Sequence, residues 1–512
     1  MPLLNIPTRA GKQEDKAIAQ KSKTTIKKNT GVLDRIGVIK MTVDKYLGKY
    51  KDEYIVIRDR ETLVNYIDKC IENDVISIDT ETTGLDVFDD SLVGLCIYTP
   101  NMPAAYIPVN HKSYITLELL DNQLSIDVLH EQFDRLAKED TKVIMFNANF
   151  DIRVLRHFIN VYLTCYWDCY LASRLLNENE GVGGKGLKAL HKKYILDGKE
   201  DEFSYEAIFR GTSFDIVPID YAYLYAAHDA IVTYELYEFQ KQYLSLDNPR
   251  DDMRKLAEVF FNIEMPCVEV VCDMEDNGVT FNMETNRELA KKYEPLLQEK
   301  LDEFNHALEE YQDKIDIYMA SHPNHGLDTP ISVRSPSQLA TLFYDILQIK
   351  PIDDKKPRGT GEEIMKKIDL PIAKVILEYR EFAKTVDTYI NKLPTWVKKD
   401  GKIHCVFNQY GADTGRMSSE DPNLQNIPHN NMRTMFTSTV LSEEVINKYD
   451  VSQNEYFEID KRHKVETING FVFAKDIIVG DKLKIKNDDV DDVITVSKIE
   501  TLVDNNHILL YY

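Results

Sequence analysis

Asp79-Thr80-Glu81-Thr82-Thr83-Gly84-Leu85 follows directly on the apolar run Val75-Ile76-Ser77-Ile78. In an extended strand residues i and i+2 point to one face, so Asp79 and Glu81 present two carboxylates together while Thr80 faces away. Like charges placed side by side repel unless a divalent cation neutralises them, and carboxylate oxygens are the hard ligands that Mg²⁺ or Mn²⁺ takes. One Asp-x-Glu alone is common on surface strands. Two further segments strengthen it. Phe146-Asn147-Ala148-Asn149-Phe150-Asp151 stands where a second apolar strand ends and a helix begins with Ile152, Leu155 and Phe158. Tyr225-Ala226-Ala227-His228-Asp229 lies in a helical stretch where positions 225 and 229 share a face. Four acids from three separated segments, each beside a buried element, make a candidate cation centre. His228 invites a general-base role beside Asp229, but adjacent helical residues diverge by about 100°, so it reads as structural.

The elements that must position these groups are legible as pattern. Short apolar runs at Val75–Ile78, Leu92–Tyr98, Ala104–Val109 and Val143–Phe146 alternate with amphipathic stretches, as strands of an α/β sheet continuing to about residue 245. Beyond it, Leu289, Tyr293, Leu296, Leu301, Phe304, Leu308 and Tyr311 repeat at helical spacing. A second helix carries Ile372, Val375, Ile376, Tyr379, Phe382, Val386, Tyr389 and Leu393. Ser335-Pro336 reads as a helix start, with Ser at the cap and Pro just inside. After residue 437 alternating segments around Val465, Phe471–Phe473 and Val493–Ile499, with the turn Asn469-Gly470, predict a small β-rich module.

The chain has 512 residues, 43% apolar and 29% charged, with 21 Gly and 18 Pro, which is globular composition with room for several cores. Collagen-like, mucin-like and wholly disordered classes are excluded. No run reaches the length of a membrane span and no signal-peptide core opens the sequence, so a soluble cytoplasmic protein without a membrane partner is expected. Lys and Arg number 62 against 85 Asp and Glu, a net charge of −23, which argues against a generic polyanion coat and leaves a local basic channel open. Residues 1–30 gather Arg9, Lys12, Lys16, Lys21, Lys23, Lys27 and Lys28, a basic tail expected to be disordered. The seven cysteines form no CxxC pair and read as buried thiols.

In order, the Asp-x-Glu, Asn-x-x-Phe-Asp and Tyr-x-x-x-Asp segments resemble the three motifs of the DEDD exonucleases of the tyrosine subtype. The resemblance implies an RNase H-like α/β domain that hydrolyses a phosphodiester with two divalent metal ions, Mg²⁺ or Mn²⁺. It gives Asp79, Glu81 and Asp229 as metal ligands and Asp151 as a ligand directly or through water. Tyr225 would orient the attacking water, and Asn147 would position the strand. Asp168 resembles a supporting acid of that family.

Thr414-Gly415-Arg416-Met417-Ser418-Ser419-Glu420-Asp421-Pro422-Asn423-Leu424-Gln425-Asn426-Ile427-Pro428 is polar and centred on one arginine. As residues alone it is either a loop or a surface donating hydrogen bonds to sugar, phosphate and minor-groove edges. It resembles the primer-template segment of family A DNA polymerases, relatives of bacterial DNA polymerase I, with Met417 in place of the usual Leu. The resemblance runs from about Val75 to Phe436 through Glu264-Met265-Pro266, Ser335–Leu339, Tyr379-Arg380, Ala383-Lys384 and Thr388-Tyr389, with no 5′-nuclease domain expected before it, as in many phage polymerases. It implies that Thr414, Arg416, Ser418, Ser419, Asn423, Gln425, Asn426 and Arg433 contact DNA. Then it breaks. Asp450-Val451-Ser452-Gln453-Asn454-Glu455 is the one candidate for the first palm carboxylate motif, but Asn447 and Lys448 interrupt its strand and Phe457 replaces an expected Arg. The fingers helix and the His-Asp-Glu turn have no counterpart.

The expectation is therefore four parts: a tail (1–30), an exonuclease domain (31–245), a mainly helical thumb with the start of a palm (246–437), and a β-rich, insertion-like module (438–512). Its partners would be a single-stranded DNA 3′ end, primer-template DNA and a separately encoded C-terminal polymerase chain. Polymerisation by this chain alone is not expected. Two rival readings stay open, a stand-alone 3′–5′ exonuclease and a non-catalytic DNA-binding half of a split polymerase.

Overall fold

The computed structural model describes residues 31–50, 52–176, 186–199, 209, 212–412 and 414–437, and between 456 and 511 the strands given below. The basic tail and the whole Asp450–Glu455 motif lie outside them. A six-stranded mixed sheet carries the acids. Its strands are β1 (Tyr54–Val56), β2 (Val75–Thr82), β3 (Leu92–Tyr98), β4 (Ala104–Pro108), β5 (Lys142–Met145) and β6 (Cys165–Asp168), ordered β1-β4-β3-β2-β5-β6. β3 runs antiparallel to both β2 and β4, β1 lies parallel to β4, and β5 and β6 continue parallel to β2. β2 reaches Thr82, so the Asp-x-Glu lies inside the strand rather than after it. β1 and β6, only three and four residues long, escaped the pattern analysis.

The helices are α1 (Val32–Tyr50), α2 (Arg60–Glu72), α3 (Ile126–Lys138), α4 (Ala148–Ile159), α5 (Cys169–Leu176), α6 (Leu187–Tyr194) and α7 (Ile219–Gln240). Both faces of the sheet are covered, which is why its central strands read as nearly continuous apolar runs. β4 shows the division. Ala105 and Ile107 face a core shared with Leu63, Phe133 and Leu155 of α2, α3 and α4. Ala104 and Tyr106 face Ala222, Ala226 and Ala230 of α7 and Ile36 and Ile39 of α1. The small alanines let α7 lie close on the sheet, where Ser77 Oγ donates to Ala230 O at 2.6 Å.

Beyond the sheet follow α8 (Asp251–Val259), α9 (Met265–Asn277), α10 (Met283–Glu309), α11 (Gln312–Ser321), α12 (Pro336–Ala340) and α13 (Pro371–Lys384). Phe304, Leu308, Leu339, Phe343, Ile372 and Ile376 share one core, as the helical spacing predicts. Ser335 caps α12, accepting from Gln338 N–H. The second predicted helix does not run uniformly: after Lys384 it widens into π-helical turns through Asn391. β7 (Val406–Asn408) pairs antiparallel with β8 (Ser418–Glu420). All seven cysteines are free thiols, six of them buried.

The chain divides into two compact units, residues 1–278 with 286–433 and residues 279–285 with 434–512. In residues 456–511 of the second, seven strands are described: β9 (Tyr456–Asp460), β10 (Lys464–Thr467), β11 (Gly470–Phe473), β12 (Lys482–Asn487), β13 (Val490–Thr495), β14 (Lys498–Thr501) and β15 (His507–Tyr511). They form sheets ordered β9-β15-β14 and β11-β10-β12-β13. Thr467 stands opposite Gly470, and residues 468–469 between them lie outside the described residues. No described helix is long and apolar enough to cross a membrane.

Candidate active site

On β2, Asp79 stands opposite Cys96 and Glu81 opposite Gly94. One ligand atom from each of Asp79, Glu81 and Cys96 lies within 4.8 Å of the others. Gly94 has a steric reason to be glycine, because a Cβ there would sit 2.2 Å from the Tyr106 hydroxyl. That hydroxyl is fixed 2.6 Å from His111 Nε2. Past Glu81 the chain turns through Thr83–Asp90, where Asp90 accepts from Thr83 Oγ1 and from Asp86 N–H, both at 2.9 Å. Leu85, in this turn, is 87% exposed.

Asp151 sits in the first turn of α4. Thr80, the residue that faces away from the carboxylate pair, holds it: its N–H and its hydroxyl both donate to Asp151 Oδ1, at 2.9 and 2.6 Å. Asn147, exposed and in the left-handed region at φ 62°, makes the turn from β5 into α4. The N–H groups of Asn147 and Ala148 donate to buried Asp168 at 3.1 and 2.8 Å, and that of Tyr170 does so at 2.7 Å. Asp168 thus closes the starts of both α4 and α5, a supporting role in which a carboxylate meets two helix N-termini.

α7 brings Asp229 under the sheet edge, and the Tyr225 hydroxyl, one turn earlier, hydrogen-bonds to it. Lys188 of α6 ion-pairs with Asp229 Oδ1. His228 points elsewhere, its Nδ1 2.9 Å from the Tyr54 hydroxyl, which agrees with its structural reading. The four acids and Tyr225 therefore converge electrostatically. Burial first, then the charges of Asp151, Asp229 and Glu81, raise Asp79 well above the ordinary carboxylate range. Burial and the charges of Asp229 and Asp151 do the same to Glu81. Asp151 is pushed up to about 7 by burial, against the two bonds from Thr80. Burial and the neighbouring carboxylates also raise Tyr225, keeping its proton on. Every one of these donors but Cys96 is a hard oxygen, and burial lifts the Cys96 thiol far above its ordinary value, so it stays protonated. The set fits a hard divalent cation.

These shifts have a measurable sign. A carboxyl group raised in the fold stabilises below its unfolded value, near 4, and loses that contribution as pH rises through its folded value. Metal-free protein should thus be weakened by this cluster between about pH 4 and 7. Mg²⁺ should raise the melting temperature more at pH 8 than at pH 5, read by thermal unfolding with EDTA or excess Mg²⁺. An equal shift at both would refute the clustering of charge.

The polar run at 414–433 divides. Thr414, Arg416, Asn423, Gln425, Asn426 and Arg433 are exposed, and Ser418 is half-buried. Ser419 differs from expectation: it is 1% exposed, and its hydroxyl accepts from the N–H groups of Leu424 and Gln425 at 3.0 and 3.2 Å, so it shapes the turn from inside. Asn423 Oδ1 accepts from Gln425 and Asn426 N–H at 3.1 and 3.2 Å. Tyr389 anchors the loop by donating to Asn426 O at 2.9 Å. Two contributors went unnoticed in the sequence. Thr80 was detectable, since the second face of the strand must meet α4; Lys188, one of three lysines on a short helix, carried no local signal that set it apart.

Comparison with known proteins follows the same division. Residues 54–244 match the family model described as 3′-5′ exonuclease, and residues 295–457 match that of DNA polymerase family A, a span that takes in the Asp450 segment. DNA polymerase I of Treponema pallidum (strain Nichols) is 27% identical over 422 residues, 75% of this chain and 39% of the relative. That of Pseudomonas aeruginosa is 28% identical over 411 residues, 73% and 39%. The DNA polymerase of Escherichia phage T5 is 25% identical over 404 residues, 73% and 43%. The chain thus spans about two fifths of the length of these curated relatives. In fold it is similar to the POL domain of Pol1 from M. smegmatis, solved with DNA primer-template and dNTP, at a TM-score of 0.53 and 19% identity over 75% of this chain and 58% of that one.

Proposed function

The chain is a relative of the family A DNA polymerases that carry a 3′-5′ exonuclease domain, and from that premise we propose that residues 31–245 remove nucleotides from a DNA 3′ end while residues 246–437 hold primer-template DNA for replication. The observation that carries the reading is the convergence of Asp79, Glu81, Asp151 and Asp229 beside Tyr225, an excess of buried negative charge that calls for divalent cations. Asp79, Glu81 and Asp229 would hold two such ions, Mg²⁺ or Mn²⁺, and Asp151 would do so directly or through water. Bound there, the ions would activate water and neutralise charge on the leaving 3′ oxygen. Tyr225, kept protonated, would orient the attacking water by accepting a hydrogen bond at its hydroxyl oxygen while its own proton stays in the bond to Asp229. Thr80 and Asp168 keep Asp151 and the start of α4 in place. Leu85, apolar and in water beyond Glu81, gives the terminal base a surface to lie on. A 5′-labelled single strand incubated with Mg²⁺ should shorten stepwise from its 3′ end; loss of label without a ladder would overturn this reading.

On the polymerase side, Arg416 and its exposed amide neighbours support contacts to backbone and minor-groove edges without sequence reading. Arg416→Ala should weaken primer-template binding alike for unrelated sequences and lower the salt slope by about 1. Fluorescence anisotropy at several salt concentrations checks it, and a sequence-selective loss would count against it. Primer-template DNA, rather than a separately encoded chain, is the partner this reading calls for. Residues 438–512 fit an inserted β-rich module.

A further inference from the structure

Among the described residues, one basic side chain enters the carboxylate cluster. Lys188 pairs with Asp229 Oδ1, and its ammonium lies 5.8 Å from the centroid of the Tyr225 ring. It is also the cation that opposes the upward push on both Asp79 and Glu81. Its place is built by the fold. α6 docks on α7 through buried Leu190 and through His191, whose Nε2 lies 2.7 Å from Glu235 Oε2. Lys188 and His191, three apart, share the face of α6 turned to α7. The Lys188 side chain keeps 29% of its surface exposed, so its flexible stem has room to move.

One ammonium among four acids neutralises about a single charge, and a divalent cation approaching Asp229 must displace it. Once displaced it stays tethered within the site, where the anion delivered is a phosphodiester. We propose that Lys188 is a further catalytic residue of this centre, its ammonium neutralising Asp229 while the site is empty and turning to a non-bridging oxygen of the scissile phosphate when metal takes Asp229. This rests on the exonuclease reading. Lys188 transfers no proton and forms no covalent bond to the substrate; it offsets charge on the phosphoryl oxygens as the leaving 3′ oxygen departs.

Calorimetric titration of Mn²⁺ into DNA-free protein reads the first half of the proposal. Lys188→Met should bind Mn²⁺ at least about threefold more tightly than the parent, since the competing cation is gone; a merely structural lysine would loosen the site and weaken binding. Single-turnover hydrolysis of a single-stranded oligonucleotide at saturating Mn²⁺ reads the second half. Lys188→Met should be slower by about a hundredfold, while Lys188→Arg keeps most of the rate. Lys188→Gln provides the same two readouts if the Met variant misfolds. Equal or weaker Mn²⁺ binding, or an unchanged single-turnover rate, would overturn the proposal. The titration needs no DNA, so it still reports on Lys188 if hydrolysis proves insensitive to Asp79→Ala, the result that would instead sink the exonuclease reading.

Discussion

Asp79→Ala should lower the rate of the proposed 3′-nucleotide removal at least about a hundredfold, on the order of 3 kcal/mol of transition-state stabilisation, because one anchor for the metal pair would be lost. The same change should not weaken the fold. Asp79 is raised by burial and by the charges of Asp151, Asp229 and Glu81, so deleting its carboxylate relieves repulsion in the metal-free protein. In EDTA at pH 8 the variant should melt at or above the parent's temperature, whereas Mg²⁺ should stabilise it less than it stabilises the parent. The two readouts together separate a lost ligand from a damaged protein. Parent-like hydrolysis, or a lower melting temperature in EDTA, would contradict the assignment of Asp79 to a cation site.

How far this centre was legible follows from where its information resides. The alternation of Asp79 and Glu81 is local to one strand, and the four-residue step from Tyr225 to Asp229 is local to one helix; periodicity alone places both. That the three segments meet is a matter of sheet order, β2 lying between β3 and β5, which no single window contains. The resemblance to known exonucleases supplied that step. Thr80 faces away from the carboxylate pair, and the side it faces is where α4 delivers Asp151, a contact no single window shows. Ser419 looked like its neighbours in a polar run, and only the turn geometry shows that it points inward. β1 and β6 were too short for their periodicity to stand out. Lys188 reaches Asp229 across the α6–α7 packing, a relation fixed by Leu190 and His191 rather than by spacing along the chain.

The helix that carries Asp151 is also held by a buried charge network just beyond that residue, and breaking it should produce a large loss of stability. Arg153, two residues after Asp151, places Nη1 2.7 Å from Glu275 Oε2 and Nε 2.7 Å from Asp276 Oδ1, all three side chains being buried. His157 Nε2 adds a contact to Asp276 Oδ1 at 2.9 Å. Glu275 in turn accepts from Phe407 N–H at 2.6 Å, so α4, α9 and β7 meet at one point. Burial raises Glu275 even with the arginine present. Burial would raise Asp276 too, but the bond from His157 and the charge of Arg153 outweigh it and hold Asp276 below its ordinary value. Removing one partner from such a pair leaves buried charge uncompensated, so Arg153→Met should cost about 3–5 kcal/mol, read from urea unfolding. The pH dependence tests the cause. Without Arg153, Glu275 should rise further and Asp276 should rise with it, and raised carboxyls take away stability as pH increases. The deficit should therefore be larger at pH 8 than at pH 5, and adding Glu275→Gln should recover part of it. A deficit under about 1 kcal/mol, or one that shrinks toward high pH, would mean that packing rather than charge joins these elements. Because α4 also delivers Asp151, the same variant should lower Mg²⁺ affinity at the acidic cluster even where it remains folded, which ties the joint at Glu275 to the site at Asp79.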